Sequence, residues 1–232
     1  DGGYIITGKD HPFLVNTSDV YLIKTDANGD SLWTKKFGGV NDDYGNYVQQ
    51  TVDGGYIIAG VTLSFGNFNR LAYLIKTDGN GTQQWSKTYK VGDGFSVQQT
   101  SDGGFILAGH TEYSGNGYLD VYILKTDTNG DSLWTKTFGG ADADEGFSVQ
   151  QTNDGGYIIT GCSGPFGNSD VYLIKTDYNG NITSEFNIPK TSKRKLQKTV
   201  DFLSRDVKTL NNKPIIEIYD DGSVEKILII EK

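Results

Sequence analysis

The stretch VYLIKTDANGDSLWTKKF (Val20–Phe37) decides the fold of this chain. Two segments rich in β-branched and aromatic residues flank a turn containing Asn-Gly, a composition typical of a tight β-hairpin. The stretch recurs as AYLIKTDGNGTQQWSKTY (Ala72–Tyr89) and VYILKTDTNGDSLWTKTF (Val121–Phe138), and its first half returns as VYLIKTDYNG (Val171–Gly180). The chain is therefore an internal repeat, and every motif has to be compared with its copies.

The sequence of each repeat predicts a second hairpin, N-terminal to this one. In it, VQQT and YIIAG flank the turn VDGG over residues 48–60. The phrase DGGYIITG begins the chain and returns in variants at Asp53, Asp102 and Asp154, so successive copies are 52, 49 and 52 residues apart. Four antiparallel strands joined by tight turns, at a period near fifty residues, are typical of a β-propeller blade. Helical repeats need a 3.6-residue periodicity that these segments lack.

We predict an all-β chain of four β-propeller blades of four antiparallel strands, one of them partial, followed by a small β-rich C-terminal domain. The blades occupy residues 1–186, with units starting near residues 1, 44, 93 and 145, and the tail occupies residues 187–232. The VQQT strand is predicted to line a wet central channel, which suits paired glutamines. Because the first unit lacks this inner strand, we expect Tyr4–Gly8 to be an unpaired edge and further blades to precede it.

A tryptophan recurs in register on the last strand of three units. Trp33, Trp85 and Trp134 are predicted to pack against the neighbouring blade, a structural role, and Ser184 takes this place in the fourth unit. The VYLIKTDANGDSLW segment resembles blades of the quinoprotein-like propellers. That superfamily includes quinone-dependent dehydrogenases and also scaffolds with no cofactor, so the resemblance implies a blade but not an activity.

Composition separates an acidic body from a basic tail. The formal net charge is −8, yet residues 190–232 carry ten Lys and Arg against seven Asp and Glu. The acidic body argues against nucleic-acid binding, which needs clustered basic residues. No apolar run approaches the length of a membrane-spanning helix, so no membrane span is predicted. The single Cys162 excludes an internal disulfide and a multi-cysteine metal site.

Acidic residues gather in the turns and at the passages between blades. The DxNGD turns lack the glycine and glutamate of an EF-hand loop, so we interpret them as hairpin turns. The second set is Asp42, Asp43, Asp93, Asp142, Asp144 and Glu145. We interpret it as solvated loop charge, with calcium binding as the alternative. We predict no other cofactor or metal and no catalytic residue, because His11 and His110 occupy unrelated repeat positions and no acid–base or nucleophile motif stands out.

Four loops differ most among the copies, at residues 9–19, 61–71, 110–120 and 162–170. Variable loops on a rigid repeat scaffold are where recognition usually resides. Aromatic residues in these loops either contact a ligand or cover the blade edges, and they are Phe13, Phe65, Phe68, Tyr113 and Tyr118. We therefore expect an extracellular protein or glycan, of unknown identity, as the ligand.

The tail contains KLQKTVDFLSRDVK (Lys195–Lys208) and closes with IEIYDDGSVEKILIIEK (Ile216–Lys232). Apolar residues on both sides of YDDGS predict a hairpin. Together the segments resemble the type A C-terminal sorting signal of Bacteroidetes proteins exported by the type IX secretion system. The matching residues are Lys195, Asp201, Leu203, Arg205, Tyr219, Asp220, Asp221, Gly222, Val224, Glu225 and Lys226. Ser204 and Ser223 stand where the family has Gly and Thr.

The resemblance implies that the type IX translocon reads the tail and that the protein is secreted or displayed on the bacterial cell surface. A small β-unit that covers the end of the propeller is the alternative for the tail.

We predict a non-enzymatic scaffold for interaction or adhesion. Two other hypotheses stay open. One is an extracellular enzyme, either a quinone-dependent dehydrogenase or a polysaccharide-active protein, whose catalytic part lies upstream. The other is a ligand-free scaffold that carries an upstream catalytic domain.

Overall fold

The computed structural model describes residues 2–10, 17–66, 70–112, 119–165 and 169–188, together with the backbone of three tail strands. The chain divides into two compact units, Asp1–Ile188 and Pro189–Lys232. All regular secondary structure in the described residues is β-strand. These residues contain no helix of the length and apolar character needed to cross a membrane.

The first unit consists of four antiparallel sheets that follow one another along the chain. The first sheet contains β1 (Ile5–Lys9), β2 (Val20–Thr25) and β3 (Ser31–Phe37). The second contains β4 (Asp43–Gln50), β5 (Tyr56–Thr62), β6 (Leu71–Thr77) and β7 (Gln83–Tyr89). The third contains β8 (Asp93–Gln99), β9 (Phe105–Glu112), β10 (Leu119–Thr126) and β11 (Ser132–Phe138). The fourth contains β12 (Ala143–Gln151), β13 (Tyr157–Gly164), β14 (Asp170–Thr176) and β15 (Ile182–Ile188).

Within each sheet, each strand pairs with the next one in the chain, so every sheet is an up-and-down meander. This arrangement confirms the predicted all-β architecture of four-stranded antiparallel units. The first sheet has three strands, and β1 pairs only with β2, with Ile5 opposite Lys24. Within the described residues, the edge of β1 that faces away from β2 therefore has no neighbouring strand in its sheet.

The core lies between consecutive sheets. β5 and β6 are buried along their whole length, because neighbouring sheets cover both of their faces. A strand covered on both faces needs apolar residues on both, which explains why YIIAG shows no alternation. Apolar clusters fill the three boundaries: Leu22, Phe37, Ile58 and Tyr73 at the first, Ile57, Leu74, Phe105 and Leu107 at the second, and Ile106, Ile123, Tyr157 and Ile159 at the third.

Aspartate side chains close both hairpin turns of the repeat. In the turn over residues 51–55, Asp53 Oδ1 accepts the Gly55 N–H at 3.0 Å, and Gly54 takes a φ of 80°. In the DxNGD turn, Asp26 Oδ1 accepts the N–H groups of Asn28 and Asp30, each at 2.9 Å. The interpretation of the DxNGD segments as hairpin turns is confirmed.

Glutamine side chains link the inner strands β4, β8 and β12. Gln49 Oε1 accepts the backbone N–H of Gln99 at 3.1 Å, and Gln98 Oε1 accepts that of Gln151 at 2.6 Å. In the opposite direction, Gln99 Oε1 accepts the N–H of Val52 at 2.9 Å. Inner strands of successive sheets share no backbone ladder, so the glutamines supply this link, and the recurrence of Gln-Gln has a structural cause.

The second unit contains a three-stranded antiparallel sheet in the order β16 (Leu196–Val200), β17 (Pro214–Tyr219) and β18 (Val224–Leu228). β17 and β18 pair with Ile218 opposite Val224. This pairing confirms the hairpin predicted around YDDGS. The turn residues between the two strands lie outside the described residues.

Candidate functional site

The first unit presents two chemically different ends. The lower end carries the Thr-x-Asp-Gly-Gly and Asp-x-Asn-Gly turns, where the inner strands β4, β8 and β12 finish. The upper end carries the beginnings of these strands, the crossings from sheet to sheet and the described ends of the four variable loops. Copies of the repeat are nearly alike at the lower end, so their differences concentrate at the upper end.

A lysine fixes the Thr-x-Asp-Gly-Gly turn of three sheets at the lower end. Lys76 Nζ lies 2.9 Å from Asp53 Oδ2. Hydrogen bonds from Lys76 and then from Thr51 lower the pKa of Asp53 to about 2. The same ion pair recurs as Lys125–Asp102 and Lys175–Asp154, both at 2.9 Å. A contact repeated in three sheets belongs to the scaffold, so the lower end is structural.

Four ionisable side chains, which we call the upper cluster, meet at the upper end: Arg70, Asp93, His110 and Glu145. Arg70 precedes β6 and clamps Asp93 with two bonds, of which Nε to Oδ1 is 2.8 Å. His110 Nε2 lies 3.8 Å from Asp93 Oδ2, and Nδ1 lies 3.4 Å from Glu145 Oε2. His110 is 8% exposed, and its Nδ1 has no hydrogen-bond partner. An imidazole between two carboxylates can bind a ligand or transfer a proton.

β-Bulges place two aromatic rings beside the upper cluster. The pairing register of β8 and of β12 shifts just after the glycine near each strand's start, which leaves Phe95 and Phe147 outside the ladder. Their ring centroids are 6.0 Å apart, and that of Phe95 is 5.0 Å from the His110 ring. Phe147 is 47% exposed. The upper end thus combines charged groups with an accessible aromatic face.

Phe65 is the described member of the aromatic residues predicted in the variable loops. It is 52% exposed, and its ring centroid lies 5.6 Å from that of Tyr73. Phe65 therefore packs on its own blade and also presents surface to solvent. The other four residues, Phe13, Phe68, Tyr113 and Tyr118, lie outside the described residues.

Three acids at the sheet crossings are buried. Asp43 is fully buried, Asp144 is 2% exposed and Asp93 is 4% exposed. The interpretation of these three residues as solvated loop charge is therefore wrong. For Asp43 and Asp144 the physical reason lies in the crossing backbone, whose N–H groups need acceptors, whereas Asp93 accepts hydrogen bonds from Arg70. Asp43 Oδ2 accepts the Gly39 N–H at 2.8 Å, and Asp144 makes the equivalent bond at the same distance.

A second carboxylate accompanies the buried one at two crossings. Asp120 lies beside Asp144, and its pKa is raised first by burial and then by that neighbouring charge. Asp19 lies near Asp43, and its pKa is raised by burial and then by the charges of Asp10 and Asp43. The described residues contain no group of three or more His, Cys, Asp and Glu arranged for a metal ion. Each crossing therefore offers two acids.

The predicted tryptophans contact the sheet that follows their own. The indoles of Trp33, Trp85 and Trp134 stand edge-on to Tyr56, Phe105 and Tyr157, with centroids 6.0, 5.7 and 5.9 Å apart. A Cβ added to Gly81, Gly130 or Gly180 would overlap these same indoles, in that order. A glycine in the turn of the following sheet thus gives each tryptophan its space.

Most of the predicted sorting residues lie outside the described residues, namely Lys195, Asp201, Leu203, Arg205, Asp220, Asp221 and Gly222. Of the remainder, Tyr219 ends β17, and Val224, Glu225 and Lys226 begin β18. The sorting role of these residues stays a prediction.

Comparison with known structures identifies the type of fold. The Pan2 WD40 domain of Neurospora crassa matches with a TM-score of 0.52 and 9% sequence identity, over 91% of this chain and 62% of that one. The chain folds as a β-propeller. It spans less than two thirds of that WD40 chain. An endo-arabinase of Bacteroides thetaiotaomicron matches with a TM-score of 0.45 and 16% identity, over 92% of this chain and 87% of that one. No protein-family model and no curated protein matches the sequence.

Sequence reasoning does not bring the upper cluster together, because its members lie on three sheets of the propeller. The available signal is departure from the repeat. Strand pairing places His110 where the other sheets have Lys9, Val61 and Cys162. A buried residue that differs from its counterparts in the other copies is a clearer sign of a site than the presence of a second histidine at the same repeat position.

Proposed function

We propose that this chain is a non-enzymatic β-propeller scaffold, secreted or displayed on the cell surface, that binds an extracellular protein or glycan at its upper end. The distribution of non-repeating side chains carries the proposal. The lower end uses the same turn and the same ion pair in three sheets. The upper cluster uses residues that change from sheet to sheet, and the bulge position of Phe95 and Phe147 holds Asn46 in the second sheet, as expected where a repeat scaffold recognises a ligand.

The chemistry of the upper end supports a ligand with both polar groups and an apolar face, such as a glycan. Phe147 offers an aromatic surface, and the side chains of Arg70 and Glu145 are 39% and 26% exposed. Binding sites typically combine such apolar surface with a few polar groups that fix orientation.

Binding to a glycan array tests this proposal, with one matched pair of variants. We expect Phe147→Ser at the upper end to weaken binding about tenfold or more, the loss typical of a stacking aromatic. Tyr178→Ser removes a 66% exposed aromatic from a lower-end turn and should leave binding unchanged. Equal losses in the two variants, or a loss only in Tyr178→Ser, would place the ligand elsewhere.

His110 favours a second candidate, an extracellular enzyme, either a quinone-dependent dehydrogenase or a polysaccharide-active protein, with further catalytic residues outside this chain. An imidazole beside Asp93 and Glu145 is suited to general acid–base catalysis. Turnover separates the candidates. A scaffold binds array ligands without converting them, whereas an enzyme releases product and loses that activity in His110→Val, which copies Val61 of the second sheet.

For export, we propose that residues 187–232 form a sorting domain read by the type IX translocon. The Lys195–Lys208 and Ile216–Lys232 segments support this proposal through their resemblance to known signals. A fluorescent passenger fused to residues 187–232 should leave a host that has this system, and the chain without residues 193–232 should stay in its periplasm. Normal export of the shortened chain would refute the sorting role.

A further inference from the structure

Two of the three crossings between sheets bring a pair of carboxylates together. The pairs are Asp19 with Asp43, and Asp120 with Asp144. A Cβ added to Gly38 would overlap an oxygen of both acids of the first pair. Gly139 has the same relation to the second pair. The carboxylates of each pair therefore converge on one small space beside a glycine.

In each pair, one deeply buried oxygen lacks a partner. Asp43 is fully buried and Asp120 is 4% exposed, and Oδ1 of each accepts no hydrogen bond. In Asp120 this oxygen is the one beside the glycine, whereas in Asp43 the oxygen beside the glycine is Oδ2. Among the described residues, no ion pair joins a basic side chain to any of the four acids. Two like charges held close together, with a buried unpaired oxygen, are unfavourable unless a positive charge joins them.

The middle crossing shows that the sheets pack without these acids. Strand pairing places Leu71 opposite Thr62, as Asp120 lies opposite Thr111. Leu71 is 7% exposed and belongs to the buried core. Gly92 precedes Asp93 at the place where Asp144 precedes Glu145, so this crossing lacks both acids of the pair. The backbone N–H groups of Gly39 and Gly140 account for Asp43 and Asp144. Since the middle crossing forms without the acid pair, the second acids, Asp19 and Asp120, call for an explanation beyond packing.

We propose that each carboxylate pair binds one calcium ion at the crossing between two blades. Carboxylate oxygens are the ligands that calcium prefers, and neither pair includes a thiolate or an imidazole that would favour a softer metal. Backbone carbonyls and water would complete the six to eight oxygen ligands that calcium typically takes. The ion joins one acid from each of two sheets and so ties successive blades together.

Calorimetric titration of the full chain with calcium chloride, after chelator treatment and its removal, tests the proposal. We expect two calcium ions per chain. Asp120→Leu and Asp19→Leu each copy Leu71 of the middle crossing, so their sheets should still pack, and each should bind one ion. The double variant should bind none. Asp142→Asn removes an exposed acid of the third crossing and should keep both ions.

A thermal melt gives the second measurement. Calcium should raise the melting temperature of the parent chain and of Asp142→Asn, and should have no effect on the double variant. If the leucine variants do not fold, Asp120→Asn should weaken one of the two sites at least tenfold. No calcium uptake by the parent chain, or two ions still bound to Asp120→Leu, would overturn the proposal.

Discussion

Each tryptophan depends on a single glycine in the next sheet. Gly130 takes a φ of 79°, and a Cβ there would lie 2.8 Å from the Trp85 ring. Gly54 takes a φ of 80°, but no atom lies within 4 Å of its Cβ position. We expect Gly54→Ala to cost about 1 kcal/mol through its left-handed backbone alone. Gly130→Ala should cost about 2 kcal/mol more because the indole has to move. Urea denaturation measures both, and equal losses would contradict this role of Gly130.

The residues whose roles the sequence predicts differ from those it misses in what determines their surroundings. The packing role of Trp85 is predictable because a tryptophan recurs at this position in three copies and makes the same contact in each. Asp43 is not predictable as a buried residue, since its burial follows from the N–H of Gly39, a contact set by the crossing backbone. The meeting of His110 with Glu145 depends on how successive sheets stack, which no local pattern encodes.

At the level of elements, the inner strands depend on side-chain acceptors. Gln98 Oε1 accepts the Gln151 N–H, and inner strands of successive sheets share no ladder. We expect Gln98→Ala to speed hydrogen exchange at the Gln151 amide about fivefold to tenfold, the worth of one hydrogen bond. Gln98→Glu keeps an acceptor oxygen at the same place and should preserve most of the protection. Equal exchange in the parent and in Gln98→Ala would show that the link contributes nothing.

The hairpin between β4 and β5 depends on pH through one carboxylate. Lys76 and Thr51 lower the pKa of Asp53 from 3.8 to about 2. A carboxyl whose pKa is lower in the folded state than in the unfolded state stabilises the fold at pH values above its unfolded-state pKa. This stability is lost as pH falls towards about 2, the folded-state pKa. We expect Asp53→Asn to be less stable than the parent at neutral pH by about 1 kcal/mol at most, because the carboxylate is half exposed. The urea midpoints of the parent and of Asp53→Asn should converge as the pH falls to about 2, and a difference that stays constant with pH would refute this origin.

At the scale of the whole propeller, one local pattern determines the architecture because it recurs. A single hairpin pair cannot cover both of its faces, so each sheet needs a neighbour, and the period near fifty residues supplies one. The fold was therefore predictable from turns and spacing. The site was not, because it arises where copies differ, at crossings where Arg70 of one sheet meets Asp93 of the next.

The same stacking predicts a gradient of stability along the propeller. Both faces of β5 and β6 are covered, whereas Ile6 in β1 is 48% exposed and Val171 in β14 is 46% exposed. Since burial of apolar surface resists local opening, amides of β5, β6, β9 and β10 should exchange at least about tenfold more slowly than those of β1 and β14. Leu107→Ala, at the boundary of the second and third sheets, should raise exchange there before it affects the first sheet. Native-state hydrogen exchange measures this order, and uniform protection across all four sheets would contradict it.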